Sequence, residues 1–252
     1  IDFYKGRKLN LKVWLEKVPY FLLAVAFGIA AIFAQQSEKA LHADAFPFHQ
    51  VIAFACYSFI TYLIKIFLPL HLNAYYPYPI TNGETMPALY YSYIILILGL
   101  AVFAFYSLRY SKKLFFGIVF FTITVFLVLK FLPVGFAMMA DRYMYVPSIG
   151  IFFLAGEGFY WLWKNKSAFV VHASIILLLS ALVILYSVNT YARCRVWKDN
   201  GTLWTNVINQ DPSIAIAFLN RGVFLLDEKK FDEAVSDFNK AIELSPDYTD
   251  AY

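Results

Sequence analysis

Apolar residues fall in blocks of helical length over the first 190 positions, separated by short polar stretches. The runs cover 18–34, 51–70, 88–108, 114–132, 147–163 and 168–188. A helix crossing a hydrocarbon core needs about 20 apolar residues, so five of these runs read as spans. The run 51–70 is interrupted by Lys65 and reads differently. Basic residues cluster at Lys5, Arg7, Lys8, Lys12 and Lys17, at Arg109, Lys112 and Lys113, and at Lys164 and Lys166. If all six runs crossed, the second and third clusters would face away from the first, against the cytoplasmic bias of lysine and arginine. A re-entrant or interfacial segment at 51–70 removes the conflict. It puts residues 35–50, 71–87, 140–148 and everything after Asn189 on one outer face.

Beyond Tyr191 the pattern changes to amphipathic helices with a soluble character. Phe218, Gly222, Leu225, Ala234, Phe238, Ala241 and Pro246 stand at the spacings of the 34-residue tetratricopeptide repeat, a pair of antiparallel helices. Gly222 and Ala234 are small enough for the two helices to approach closely, and the larger residues fill the space around that contact. Asp232 and Glu233 suit the start of the second helix, and Ser245-Pro246 its end. Arg221 departs from the pattern, which usually has an apolar residue there. Stepping back one repeat, Trp204, Val207 and Pro212 read as half a repeat. Stepping forward, Tyr252 takes the aromatic position of the next, so the chain reads as a fragment of a longer protein.

The expected architecture is therefore all-α: a polytopic helical membrane bundle at 1–190, a junction and half repeat at 191–214, and a tetratricopeptide hairpin at 215–252. Composition agrees, with 61% hydrophobic and 15% charged residues, too apolar for an ordinary soluble domain. The net charge of +4 comes from clusters beside apolar runs and not from a continuous basic face, which argues against nucleic acid as a partner. Cys56 and Cys194 have no metal-type spacing, and no metal ligand set is read from the chain.

Candidate chemistry gathers in the outer segments. Asp141 and Arg142 sit between two apolar runs, where ionisable residues need either a polar site or an interfacial role. Tyr143 and Tyr145 fit an aromatic belt equally well. The loop from His71 to Pro79 is dense in tyrosine and proline, and Lys65 reads either as a snorkelling lysine or as a phosphate ligand. His42 and Asp44 in the first outer loop complete the set of candidate substrate-binding residues, with Arg142, Asp141, Tyr143 and Lys65.

Four stretches carry a family resemblance: Ala34 to Asp44, Leu72-Asn-Ala-Tyr-Tyr-Pro-Tyr-Pro79, Asp141-Arg-Tyr-Met-Tyr-Val-Pro-Ser148, and Trp197-Lys-Asp199 to Trp204. In this order, followed by repeats, they resemble the transmembrane and tetratricopeptide-repeat O-mannosyltransferases, in particular their bacterial relatives. The resemblance implies a GT-C-type membrane glycosyltransferase that takes a sugar from a polyprenyl-phosphate carrier and inverts it onto an acceptor at the outer face. It implies an acidic base N-terminal to this chain, so no catalytic base is assigned here, and an arginine or lysine that steadies the departing lipid phosphate. Arg142 fits that role, with Asp141 orienting it or touching the acceptor. No cofactor is implied beyond the donor, and a divalent metal is left open. Expected partners are membrane lipid, the lipid-linked sugar, and an acceptor protein held by the repeats. The expected location is a bacterial inner membrane or the endoplasmic reticulum membrane, repeats outside. The other reading is a non-catalytic, membrane-anchored tetratricopeptide scaffold.

Overall fold

The computed structural model describes residues 6–8, 10–37, 46–80, 84–129, 131, 137–165 and 169–246. The chain forms two compact units. One comprises Ile1–Ile66, Tyr78–Met139 and Tyr143–Gly158, the other Phe67–Pro77, Ala140–Arg142 and Phe159–Tyr252. The second unit thus joins two loop segments and residues 159–190 to the C-terminal helices.

In the first unit, α1 (Leu11–Leu15) begins where the Asn10 side chain accepts the Val13 amide, satisfying one of the donors that a helix start leaves unpaired. It is followed by α2 (Val18–Ser37), α3 (Phe48–Phe67), α4 (Ala88–Ser107) and α5 (Lys112–Phe126), then the first turns of α6 (Ser148–Asn165). Pro47 and Pro87 precede α3 and α4, and Ser111 caps α5 through the Leu114 amide. Proline suits a helix start because its missing amide would be unpaired there anyway.

Tyr62 and Val125 are fully buried in this unit, with Phe54 and Phe121 nearly so. Phe46, Phe54, Tyr78, Tyr90, Tyr57 and Tyr93 form a chain of aromatic contacts at centroid separations of 5.0–6.1 Å. Between α5 and α6 the backbones touch at two glycines: a Cβ on Gly150 would lie 2.8 Å from the Gly117 carbonyl oxygen. Small residues at such crossings let membrane helices pack closely. Lys113 and Glu157 join the same two helices by a 2.6 Å ion pair.

Among the described residues, four stretches are long and apolar enough to cross a membrane: Leu11–Ala30, Phe48–Phe67, Ala88–Ser107 and Phe169–Val196. The first, third and fourth bury almost none of their apolar surface within the protein, so in water they would expose far more hydrocarbon than a soluble fold tolerates. Three of the four fall on the expected spans 18–34, 88–108 and 168–188, and the remaining one on the run 51–70. The run 51–70 lies on one unbroken helix, Phe48–Phe67. It is also the most enclosed of the four, with 44% of its window buried. The helix on the run 114–132, α5, has 15 residues and begins two positions before the run, giving about 22 Å of helix against a ~30 Å core. Glu157 and Lys164 keep α6 below the apolarity of a free-standing span.

The second unit holds the end of α6, then α7 (Phe169–Val196), α8 (Asn200–Gln210), α9 (Ala215–Asp227) and α10 (Phe231–Leu244). With 28 residues, α7 is about 42 Å long. It carries the chain past the expected boundary at 190 without a break, so Arg193 and Arg195 stand on its last turns. Asp199 then starts α8 with a capping box: its carboxylate accepts the Thr202 amide at 2.7 Å. Two short β segments, Tyr76–Pro77 (β1) and Ala137–Met139 (β2), complete the described elements.

Helices α9 and α10 form the hairpin that the repeat spacing predicts. Phe218, Gly222, Ala234 and Ala241 are buried, Leu225 and Phe238 are partly buried, and Pro246 follows the end of α10. A Cβ on Gly222 would come within 2.6 Å of the Phe238 ring, which explains why no larger residue fits. Helix α8 packs on α9 where the half repeat was expected, with Val207 fully buried against Ala217. Arg221, the departure from the repeat pattern, is explained by its partner. Its Nε and Nη2 donate 2.7 Å hydrogen bonds to Oδ2 and Oδ1 of Asp237, which is buried.

Candidate functional site

The candidate site lies within the second unit, where the segment 72–76 meets Asp141 and Arg142. Each residue of the segment makes a distinct contact. The Leu72 carbonyl accepts from Arg193 Nη1 at 2.9 Å and from Gln210 Nε2 at 3.0 Å, so it is held by the ends of both α7 and α8. Arg193 Nη1 also donates to Asn206 Oδ1 at 3.2 Å, as does Gln210 Nε2 at 3.0 Å. Asn73 is buried, and its amide donates to the Tyr76 phenol oxygen at 2.8 Å. Ala74 is buried among Val207, Ile214 and Ala217, and the Tyr75 ring lies against Trp204. The half repeat is thereby covered by a loop from far upstream. The small Ala74 side chain packs with Val207 of α8 and Ala217 of α9.

Tyr76 points the other way. Its phenol oxygen is 3.1 Å from each carboxylate oxygen of Asp141 and 3.1 Å from the His71 carbonyl. Burial, reinforced by the negative charge of Asp141, holds the Tyr76 phenol far above its ordinary pKa, so it stays protonated and can donate. Asp141 opens the single 3-10 turn Asp141–Met144. Arg142 Nη1 approaches the Ala74 carbonyl at 3.4 Å, and the Arg142 side chain is exposed. The Asp141 carboxylate thus accepts from the Tyr76 phenol, and the next residue, Arg142, is exposed.

Beside it, Pro69, Leu72, Tyr186, Asn189, Thr190, Arg193, Cys194 and Trp197 line a cleft of about 320 Å³. The lining is mostly apolar, with one guanidinium at its wall. Such a cleft suits a hydrocarbon chain more than a sugar. Among the described residues, no three His, Cys, Asp or Glu side chains gather as a metal site.

Of the residues expected from sequence, Asp141 and Arg142 are brought together with the tyrosine loop. Tyr143 and Lys65 belong to the other unit, and His42 and Asp44 lie outside the described residues. Tyr76, Arg193 and Gln210 were not singled out by sequence reasoning. The density of tyrosine and proline around position 76 and the basic junction after α7 were visible, but not which of those side chains meet.

Residues 215–248 match the tetratricopeptide repeat family. Over 137 residues, 51% of its length, the chain is 32% identical to the protein O-mannosyl-transferase Tmtc1 of Drosophila melanogaster, covering 16% of that protein. It is 31% identical over 118 residues to the human protein O-mannosyl-transferase TMTC3, covering 46% of this chain and 12% of the relative. About half of the chain is thus similar to protein O-mannosyl-transferases. The human TMTC1 transferase gives the same picture, 30% identical over 137 residues, with 15% of its length covered. The chain thus spans only 12–16% of the length of these transferases. No solved structure matches it. The similarity to these transferases covers about half of the chain, and the repeat match covers 34 residues near its C-terminus.

Proposed function

We propose that this chain is part of an integral membrane glycosyltransferase that moves a sugar from a polyprenyl-phosphate carrier to a protein acceptor at the periplasmic or lumenal face. The observation that carries the reading is the exposed Arg142 guanidinium, next in sequence to Asp141, in a chain about half of which is similar to O-mannosyl-transferases. In such a transfer the bond between the sugar's anomeric carbon and the carrier phosphate breaks as the acceptor hydroxyl bonds to that carbon from the opposite side. The hydroxyl proton passes to a carboxylate base supplied elsewhere in the protein. Negative charge grows on the departing phosphate, and a guanidinium stays charged while offering it a two-pronged hydrogen-bond donor. The apolar cleft lined by Leu72, Tyr186 and Trp197 is suited to the carrier's isoprenoid chain. The repeats hold the acceptor.

Arg142→Ala in the full-length protein tests the reading. Transfer from polyprenyl-phosphate mannose is expected to fall by about 100-fold or more, the usual effect of removing one charge-stabilising donor. Expression and thermal stability should hold, since the side chain is exposed. An Arg142→Ala protein that transfers sugar at the wild-type rate would refute the assignment. Parallel loss of folding would instead favour a structural role.

A further inference from the structure

Residues 169–188 of α7 carry no Asp, Glu, Lys or Arg and make about 30 Å of helix, the thickness of a hydrocarbon core. The helix runs on to Val196. With α7 across a bilayer, the turn after Val188 therefore stands in the polar headgroup layer, which adds about 5–8 Å beyond the core. Two faces of α7 part there. Tyr186, Asn189, Thr190 and Arg193 turn to Pro69 and Leu72 and line the apolar cleft. Leu177, Ile184, Val188 and Tyr191 form an exposed stripe on the opposite side, and the exposed Arg195 continues it at helical spacing.

Side chains on a helix lean toward its N-terminus, and Arg195 leans back over the turn below it. Its Nη2 donates to the Tyr191 phenol at 3.1 Å, and the guanidinium lies 4.8 Å from the centre of that ring. Tyr191 stands about 4.5 Å past Val188, so the guanidinium is held at the depth of the lipid phosphates. Among the described residues, Tyr191 is the only side chain that Arg195 meets. We propose that the Tyr191–Arg195 pair is a binding site for the phosphate of an anionic phospholipid. A guanidinium keeps its charge and offers phosphate two parallel donors. The phenol occupies one of its N–H groups and the ring face supports it, which leaves the others for the ligand. Lys198 is exposed nearby but stands beside Asp199, so Arg195 supplies the attracting charge. The occupant is a bilayer phospholipid and not the sugar carrier, because the pair lies on the exposed stripe, about 200° round the helix from Arg193 and the cleft. The site is independent of the proposed sugar transfer.

Native mass spectrometry of the full-length protein in detergent, with phosphatidylglycerol or phosphatidylcholine added at equal concentration, tests the site. Arg195→Gln is expected to bind phosphatidylglycerol about five-fold more weakly than wild type, the worth of one basic residue near an anionic surface. Phosphatidylcholine binding and the Tm should not change, since the side chain is exposed. Undiminished phosphatidylglycerol binding by Arg195→Gln would overturn the proposal, as would an equal loss of both lipids. A photoactivatable phosphatidylglycerol asks the same of the wild-type protein, with no variant that has to fold. Adducts are expected within residues 188–198, and adducts confined to other segments would overturn the proposal. Loss of the adducts at 188–198 when stoichiometric polyprenyl phosphate is added would reassign the pair to the carrier, and the phospholipid site would fall.

Discussion

Arg221 grips the carboxylate of Asp237 with two parallel hydrogen bonds of 2.7 Å, binding α9 to α10 at a position where the repeat normally packs an apolar side chain. Removing one partner strands the other charge. A fully buried pair broken in this way costs about 3–5 kcal/mol. Here the Arg221 side chain is 25% exposed, so Asp237→Ala is expected to destabilise the hairpin by about 2 kcal/mol. Replacing both residues by Leu should recover most of that loss, since an apolar pair of similar volume needs no desolvation. Thermal unfolding of the detergent-solubilised chain checks both expectations, and a double variant weaker than Asp237→Ala would contradict them.

Glycine contacts set two helix spacings. Gly222→Ala would drive its Cβ to 2.6 Å from the Phe238 ring, and Gly150→Ala would set a Cβ 2.8 Å from a backbone oxygen. Each is expected to cost about 1–3 kcal/mol through overpacking. Gly150→Ala should be the worse of the two, because an aromatic ring can tilt and the Gly117 backbone cannot. Comparing the two variants' unfolding midpoints decides the order.

Asp199 gives the start of α8 an acid-sensitive element. The hydrogen bond from the Thr202 amide, aided by Lys198, keeps its carboxyl below the ordinary range. A depressed folded pKa means that the stabilisation is present above the unfolded value of about 3.9 and is lost as pH falls through the folded one. Asp199→Asn retains the cap but removes the charge. The wild-type Tm should therefore fall more steeply than that of Asp199→Asn between about pH 4 and pH 2. Parallel curves would assign the acid sensitivity elsewhere.

Membrane orientation is testable directly. Basic clusters at Lys112-Lys113 and Lys164 favour a cytoplasmic side for the ends of α4 and α6, by the usual bias of lysine and arginine. With the run 51–70 re-entrant or interfacial, a reporter fused after Lys113 is expected to read as cytoplasmic and one fused after Ser213 as external; four full crossings would reverse both. A cytoplasmic signal at Ser213 would move the repeats, and the proposed acceptor site with them, to the other face.

Local pattern alone determined the all-α class, the apolar membrane helices and the repeat hairpin. In each case the signal is a periodicity within 20 to 40 residues, and burial follows from it: Phe218, Gly222, Ala234 and Ala241 had to face one another once two antiparallel helices formed. Helix length was less legible. The apolar run 114–132 gave a short α5, and 51–70 gave one continuous helix, because composition marks what can enter a membrane but not where the backbone turns. The candidate site was legible only in half. Asp141 and Arg142 stood out as charges at an apolar edge, whereas the partners that brace them did not. Tyr76 lies 65 positions from Asp141 and Leu72 lies 138 from Gln210, and no spacing rule links residues so far apart. Those contacts exist because Ala74 fits between α8 and α9, a matter of shape across the folded chain that only the tertiary structure decides.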